Sequence, residues 1–159
     1  MFDFLKIKKH FEVVSPMDGE IIPISEVEDD AFSQKMLGDG VAVVPTSGLV
    51  LAPVDGKVAQ VFDTLHAYGI CSDNGVEILI HVGINTVELK GNGFKSFVSN
   101  GQKVKKGDKI AQVDIDLLKE KGYSLQTPVI ITNIDSVKNP GYHLGNAKSG
   151  QTVIISYDK

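Results

Sequence analysis

Leu65-His-Ala-Tyr-Gly-Ile-Cys-Ser-Asp-Asn-Gly-Val-Glu-Ile-Leu-Ile-His-Val-Gly83 reads as one β-hairpin. Two apolar-rich runs, 65–72 and 76–83, flank Asp73-Asn74-Gly75. Asn-Gly between such runs signals a tight turn, because both residues accept positive φ. In the second run Ile78, Ile80 and Val82 alternate with Glu77, Leu79, His81 and Gly83, the period of a half-buried strand. The isoleucine–valine side is expected to face a core. His81 then stands on the outer face between Leu79 and Gly83, where Gly83 leaves open space and an approachable backbone. Register depends on the loop. A two-residue loop, Asn74-Gly75, puts Tyr68 opposite His81 and His66 opposite Gly83; a four-residue loop, Ser72–Gly75, puts His66 opposite His81. Both registers place the two imidazoles on one face, adjacent or diagonal and within reach of each other. A three-residue loop breaks that pairing.

The same punctuation runs outward from the hairpin. Pro16-Met-Asp-Gly19, Pro53-Val-Asp-Gly56, Asn92-Gly93, Asn100-Gly101 and Gly107-Asp108 separate short apolar runs at 20–24, 41–44, 49–52, 57–62, 94–98, 109–113, 128–132 and 152–157. Regular short strands with such turns predict an all-β antiparallel sandwich or barrel. Ser15–Ile24 resembles Ala52–Val61, each a Pro segment, an Asp-Gly turn and a strand, which suggests two related sheet corners. Helices are few and short: Asp30 is placed to cap 31–37 before Gly38, and Asp114 or Asp116 to cap 117–121 before Gly122.

Composition removes whole classes of function. A chain of 159 residues fits one domain. The single Cys71 rules out an internal disulfide framework and a multi-cysteine zinc site, and a reducing, cytoplasmic compartment is the expectation. A net charge of −4 argues against nucleic-acid coating, and no apolar run reaches the ~20 residues of a spanning helix. All 16 basic residues are Lys. A phosphate-handling site here must therefore work without the guanidinium fork, and no phosphate-binding Gly-Lys-Ser/Thr loop for a nucleotide is present.

The chemistry concentrates on two of four histidines. His10 sits near the N-terminus and His143 in Asn139–Gly145, a loop by its composition; both are expected to be solvated. His66 and His81 make a pair with no third metal ligand at suitable spacing and no adjacent Ser or Cys nucleophile. Imidazole can itself be the nucleophile. Unprotonated His81 can attack phosphorus, His66 can donate N–H to the phosphoryl oxygens, and Thr64, on the same strand face, can set the His66 tautomer.

Residues 13–159 resemble the glucose-family enzyme IIA of the bacterial phosphoenolpyruvate:sugar phosphotransferase system. The resemblance is carried by Ser15–Gly19, Gly38–Ala42, Ala52–Gly56, His66–Gly69, Gly75–Gly83 and Thr86–Phe94. It implies a barrel-sandwich hybrid with His81 as phosphoacceptor, His66 as second active-site histidine and Thr64 in support. It also implies a shallow apolar groove at Phe32, Leu37, Phe62, Leu79 and Val87, and an acidic contact at Asp29. Asn85, after Gly83-Ile84, stands where the family pattern has a second acidic residue. The implied partners are the histidine-containing phosphocarrier protein and the IIB domain of a sugar permease, with no cofactor and no metal. The chain resembles free-standing members.

Rival readings are a biotinyl- or lipoyl-type carrier, a zinc peptidase and a non-catalytic binding or regulatory module. The first lacks its Met-Lys-Met or Asp-Lys-Ala tip; the second needs His-x-His and meets Leu79-Ile80-His81. Residues 1–12 read as a separate tail. On a helix Met1, Phe4, Leu5, Lys8 and Phe11 share a face, an imperfectly amphipathic pattern in a run that also carries Lys6 and Lys9, and residues 1–11 are expected either to touch an anionic membrane surface or to fray.

Overall fold

The computed structural model describes residues 9–159. Fourteen strands follow one another: β1 His10–Val14, β2 Gly19–Pro23, β3 Asp39–Pro45, β4 Leu49–Leu51, β5 Gly56–Val61, β6 Ala67–Ser72, β7 Glu77–His81, β8 Phe94–Ser96, β9 Lys103–Val104, β10 Lys109–Val113, β11 Thr127–Ile131, β12 Lys138–Tyr142, β13 Gly145–Ala147 and β14 Val153–Asp158. An eight-stranded sheet runs β13-β2-β3-β11-β7-β6-β5-β9, and two three-stranded sheets run β1-β14-β12 and β4-β10-β8. Every pairing is antiparallel. The all-β expectation holds.

The three central strands of the large sheet explain the core. Val41, Val43, Ile78, Ile80, Val129 and Ile131 point into one cluster, shared with Val50, Ile110, Ile154 and Tyr157 of the smaller sheets. The residues between them, Ala42, Leu79 and Ile130, point the other way into a second cluster with Ile24, Val27, Phe32 and Ile84. Period two thus feeds two cores, which is why these strands read as nearly continuous apolar runs. Residues 24–32 form the lid of the second cluster through a 3₁₀ turn, Ile24–Glu26, and helix α1, Asp30–Ser33. Asp29, not Asp30, caps α1, its carboxylate accepting from the Ala31 N–H at 2.9 Å. Helix α2, Ile115–Glu120, is capped by Asp114 as expected.

The two Pro-x-Asp-Gly corners meet. Val14 N–H donates to the Pro53 carbonyl at 3.1 Å, and Leu51 N–H to the Pro16 carbonyl at 2.8 Å. Asp18 accepts from the Ser149 N–H at 2.8 Å, and Asp55 from the Lys106 N–H at 2.8 Å. Equivalent groups of the two repeats therefore make equivalent bonds across a local pseudo-two-fold.

Four strands lay outside the sequence reading. Loop-like Asn139–Gly145 contains part of β12, and β9 and β13 are two and three residues long. The fourth, β1, corrects the tail boundary: residues 10–12 pair with β14, and the Phe11 ring stacks on Tyr157 with centroids 5.6 Å apart. His10 accordingly sits on a strand, 2.9 Å from Asp158. The remaining tail, residues 1–8, lies outside the described residues.

Candidate functional site

The hairpin closes with a three-residue loop, the case that breaks both expected registers. Ser72 pairs with Val76, its N–H donating to the Val76 carbonyl at 2.8 Å, while Gly75 N–H returns to the Ser72 carbonyl at 3.0 Å. Gly75 takes φ +92°, so a type I turn is followed by a positive-φ residue. The Asn74 side chain accepts from the Ser72 hydroxyl at 2.7 Å, which fixes the turn from within. His81 consequently faces Ala67 rather than Tyr68 or His66.

The histidines meet nevertheless, with ring centroids 4.8 Å apart and planes at 84°. His66 lies one residue ahead of β6, where strand alternation no longer governs its side chain. Leu65 just before it holds φ +58°, a conformation a bulky residue seldom adopts. A turn in which the Leu65 N–H donates to Phe62 at 2.7 Å, and the Tyr68 hydroxyl to the Leu65 carbonyl at 2.8 Å, keeps it there. Thr64 belongs to this turn, not to a strand, yet its hydroxyl oxygen lies 2.6 Å from His66 Nδ1. A hydroxyl that donates to Nδ1 leaves the His66 proton on Nε2.

His81 ends β7. Its Nδ1 lies 2.8 Å from the Gly83 carbonyl. A carbonyl only accepts, so the neutral ring keeps its proton on Nδ1 and its lone pair on Nε2. Gly83 does not leave open space: it is buried, takes φ +75°, and a Cβ there would sit 2.6 Å from Thr86 Cγ2. Its glycine serves the turn that aims the carbonyl back at His81.

Burial sets the electrostatics. His66, 5% exposed, is pushed down to about 4, first by burial and then by the neighbouring His81. Burial lowers His81 as well, opposed by the Gly83 carbonyl and by the Asp29 charge. Both rings are neutral near pH 7, so His81 Nε2 presents a lone pair. Among the described residues no group of three or more His, Cys, Asp or Glu is placed to hold a metal.

The surroundings divide the expected groove. Phe32 is buried, with its ring 5.0 Å from that of His81, so it underlies the site instead of rimming it. Phe62 packs edge-on against His66 at 5.7 Å. Leu79 is half-buried in the second cluster. Only Leu37 and Val87, 47% and 49% exposed, offer the apolar surface expected of a rim. Met36, 70% exposed beside Leu37, went unread because a lone methionine in a polar run carries no periodic signal. Asn85 is exposed in a left-handed turn, φ +61°. His10 and His143 lie elsewhere, His143 with Nε2 3.2 Å from the Ser156 hydroxyl.

Known proteins place the chain in a family. Residues 11–137 match the model of the phosphoenolpyruvate-dependent sugar phosphotransferase system, EIIA 1 family. The chain is 47% identical over 154 residues to the PTS system glucose-specific EIIA component of Buchnera aphidicola subsp. Acyrthosiphon pisum, covering 97% of this chain and 95% of that one. It is 50% identical over 144 residues to the component of the same name from Bacillus cereus, covering 90% and 87%. The solved structure of glucose permease IIA from Mycoplasma capricolum superposes with a TM-score of 0.88 at 43% identity, covering 98% of this chain and 99% of that one. Its likeness fits the barrel-sandwich build. Full-length relatives, a matching fold and a neutral histidine pair leave no preference for a non-catalytic module. The chain belongs to the EIIA family of the phosphoenolpyruvate-dependent sugar phosphotransferase system and is a phosphocarrier, a phosphotransferase component of that system.

Proposed function

We propose that His81 carries the phosphoryl group, received from the histidine-containing phosphocarrier protein and delivered to the IIB domain of a sugar permease. The observation that supports this most is the 2.8 Å contact from His81 Nδ1 to the Gly83 carbonyl, because it leaves the lone pair on Nε2. In the forward step Nε2 forms the bond to phosphorus as the bond from phosphorus to the donor nitrogen breaks. The electron pair returns to the donor. The His81 ring becomes cationic and keeps its Nδ1 proton on Gly83, which stabilises the phosphoryl adduct and prepares the ring to leave again.

His66 donates from Nε2 to the transferring oxygens, its tautomer set by the Thr64 hydroxyl 2.6 Å from Nδ1. Fixed donors aimed at developing charge suit a site without arginine. Asp29 favours a basic partner surface. Leu37, Val87 and Leu79, with Phe32 and Phe62 beneath and beside the rings and Asn85 at the edge, make the docking face for both partners; buried Gly83 serves it only through the carbonyl that holds His81. Transient contacts of this kind are small, often below about 1,200 Å².

The testing experiment is incubation with phosphoenolpyruvate, enzyme I and the carrier protein, followed by mapping of acid-labile phosphate. Label on His81, and none in His81→Ala, supports the reading; full labelling of that variant overturns it. Residues 9–159 are proposed as the phosphotransfer unit, working in the cytoplasm, and the Lys6- and Lys8-bearing tail as a contact for anionic membrane. Co-sedimentation of a peptide of residues 1–8 with vesicles of stated anionic content tests the tail. Equal binding with and without anionic lipid refutes it.

A further inference from the structure

We infer that Thr86 and Thr127 are positioning residues for phosphoryl transfer: they clamp the Val82–Gly83 peptide unit at both ends, aim the Gly83 carbonyl at His81 and so keep Nε2 as the nucleophile. The inference rests on the reading of His81 as acceptor. Both threonines are 0% exposed, two of only five buried polar or charged residues among those described. A hydroxyl so buried demands hydrogen-bond partners, and both find them on one peptide.

Thr86 Oγ1 donates to the Val82 carbonyl at 2.6 Å. Thr127 Oγ1 donates to the Leu125 carbonyl at 2.9 Å, and its lone pair lies 3.4 Å from the Gly83 N–H. The Val82 carbonyl and the Gly83 N–H are the two ends of one planar unit, so fixing both fixes its rotation. The next unit is held the same way: the Ile84 N–H donates to Ser124 at 3.1 Å, while its other end, the Gly83 carbonyl, takes His81 Nδ1 at 2.8 Å. Three constraints therefore converge on a single carbonyl. Released from them, the carbonyl can turn from His81. The neutral imidazole is then free to carry its proton on Nε2, and a ring so protonated has no lone pair there.

The test compares Thr86→Val and Thr127→Val with Thr86→Ser and Thr127→Ser in the full chain. The ¹⁵N shifts of His81, read where both histidines are neutral, report the tautomer. Wild type and both serine variants should hold the proton on Nδ1. The valine variants should show a raised Nε2–H population and transfer roughly tenfold to a hundredfold slower, the usual scale for losing a group that orients a functional histidine. Their KM for the carrier should stay unchanged. Folded valine variants with the wild-type tautomer and rate overturn the proposal.

Hydrogen exchange in the unmodified protein covers variants that fail to fold. The Gly83 amide should exchange as slowly as that of Ile80 in the core, and exchange as fast as at exposed Asn85 overturns the clamp. The tautomer readout does not depend on phosphorylation. Labelling of His81→Ala would sink the acceptor assignment, whereas an unlabelled His81→Ala beside unaffected valine variants would sink the clamp alone.

Discussion

The two faces of β7 are built from alternate residues of five, yet they do different work. Ile78 and Ile80, at most 1% exposed, hold the main core together. Leu79 and His81, half-buried, look out through the second cluster. The strand is central, hydrogen-bonded to β11 on one side and β6 on the other, so His81 is set on one of the stiffest parts of the molecule. His66 is supplied differently, from a tight turn with Leu65 at positive φ. On the proposed roles, the nucleophile stands on a central strand and the auxiliary donor on a turn with a left-handed residue, so accuracy is needed most at the atom that forms the bond.

Substitutions on the two faces should separate stability from chemistry. The largest effect is expected at His81→Ala, where phosphoryl acceptance disappears while the thermal midpoint moves little. A large drop in melting temperature would show that the outer face also carries the fold. His66→Ala should slow transfer on the order of 10²–10³-fold, the scale of losing one aimed donor. His66→Gln, which keeps an N–H, should retain acceptance more than onward transfer. Single-turnover rates with phosphorylated carrier measure both, and wild-type rates in the two variants would reduce His66 to packing.

Ile80→Ala reverses the pattern. Emptying a fully buried site should cost about 2–5 kcal/mol and leave the rate per folded molecule unchanged, as urea unfolding beside an activity assay would report.

Acid should act through both buried histidines, whose pKa values are lowered, and most clearly through His66. The folded pKa of His66, about 4, lies below the 6.5 of an unperturbed histidine. The unfolded chain therefore binds the extra proton first as pH falls below 6.5. His66 gives its full contribution above that pH, loses it on the way down towards 4, and changes nothing further below it, a few kcal/mol at most. Replacing His66 with Gln should flatten the stability profile in that window; an unaltered slope would assign the acid sensitivity elsewhere.

The smallest effect separates two leucines. Leu37→Lys, at an exposed position, should stay within about 0.5 kcal/mol of wild-type stability while weakening carrier docking. Leu79→Lys should destabilise the second cluster as well. Equal thermal shifts for the pair would erase the distinction between rim and lid.

Alternation of Ile78, Ile80 and Val82 against Leu79 and His81 determined from sequence which way the strand faces, because a side-chain period of two follows from backbone geometry alone. The dense Asp-Gly and Asn-Gly turns determined the all-β class, and the repeated Pro-x-Asp-Gly announced the paired corners. Only the tertiary structure decided the register: the three-residue loop is held from outside, by the Tyr157 hydroxyl donating to the Asn74 side chain at 2.8 Å and by the Asp73 N–H donating to the Asp55 carbonyl at 3.0 Å. It also decided how His66 reaches His81, since the left-handed Leu65 is held by Tyr68 and Phe62 and not by its own preference. The resemblance implied a groove position for Phe32, and the structure buries it beneath the histidines, because burial depends on where residues 24–32 fold back. The threonine clamp was invisible for the same reason. Thr86 and Thr127 are unremarkable polar residues in the chain; Thr86 reaches Val82 through the local turn, and only sheet pairing between β7 and β11 brings the Thr127 hydroxyl to the same peptide.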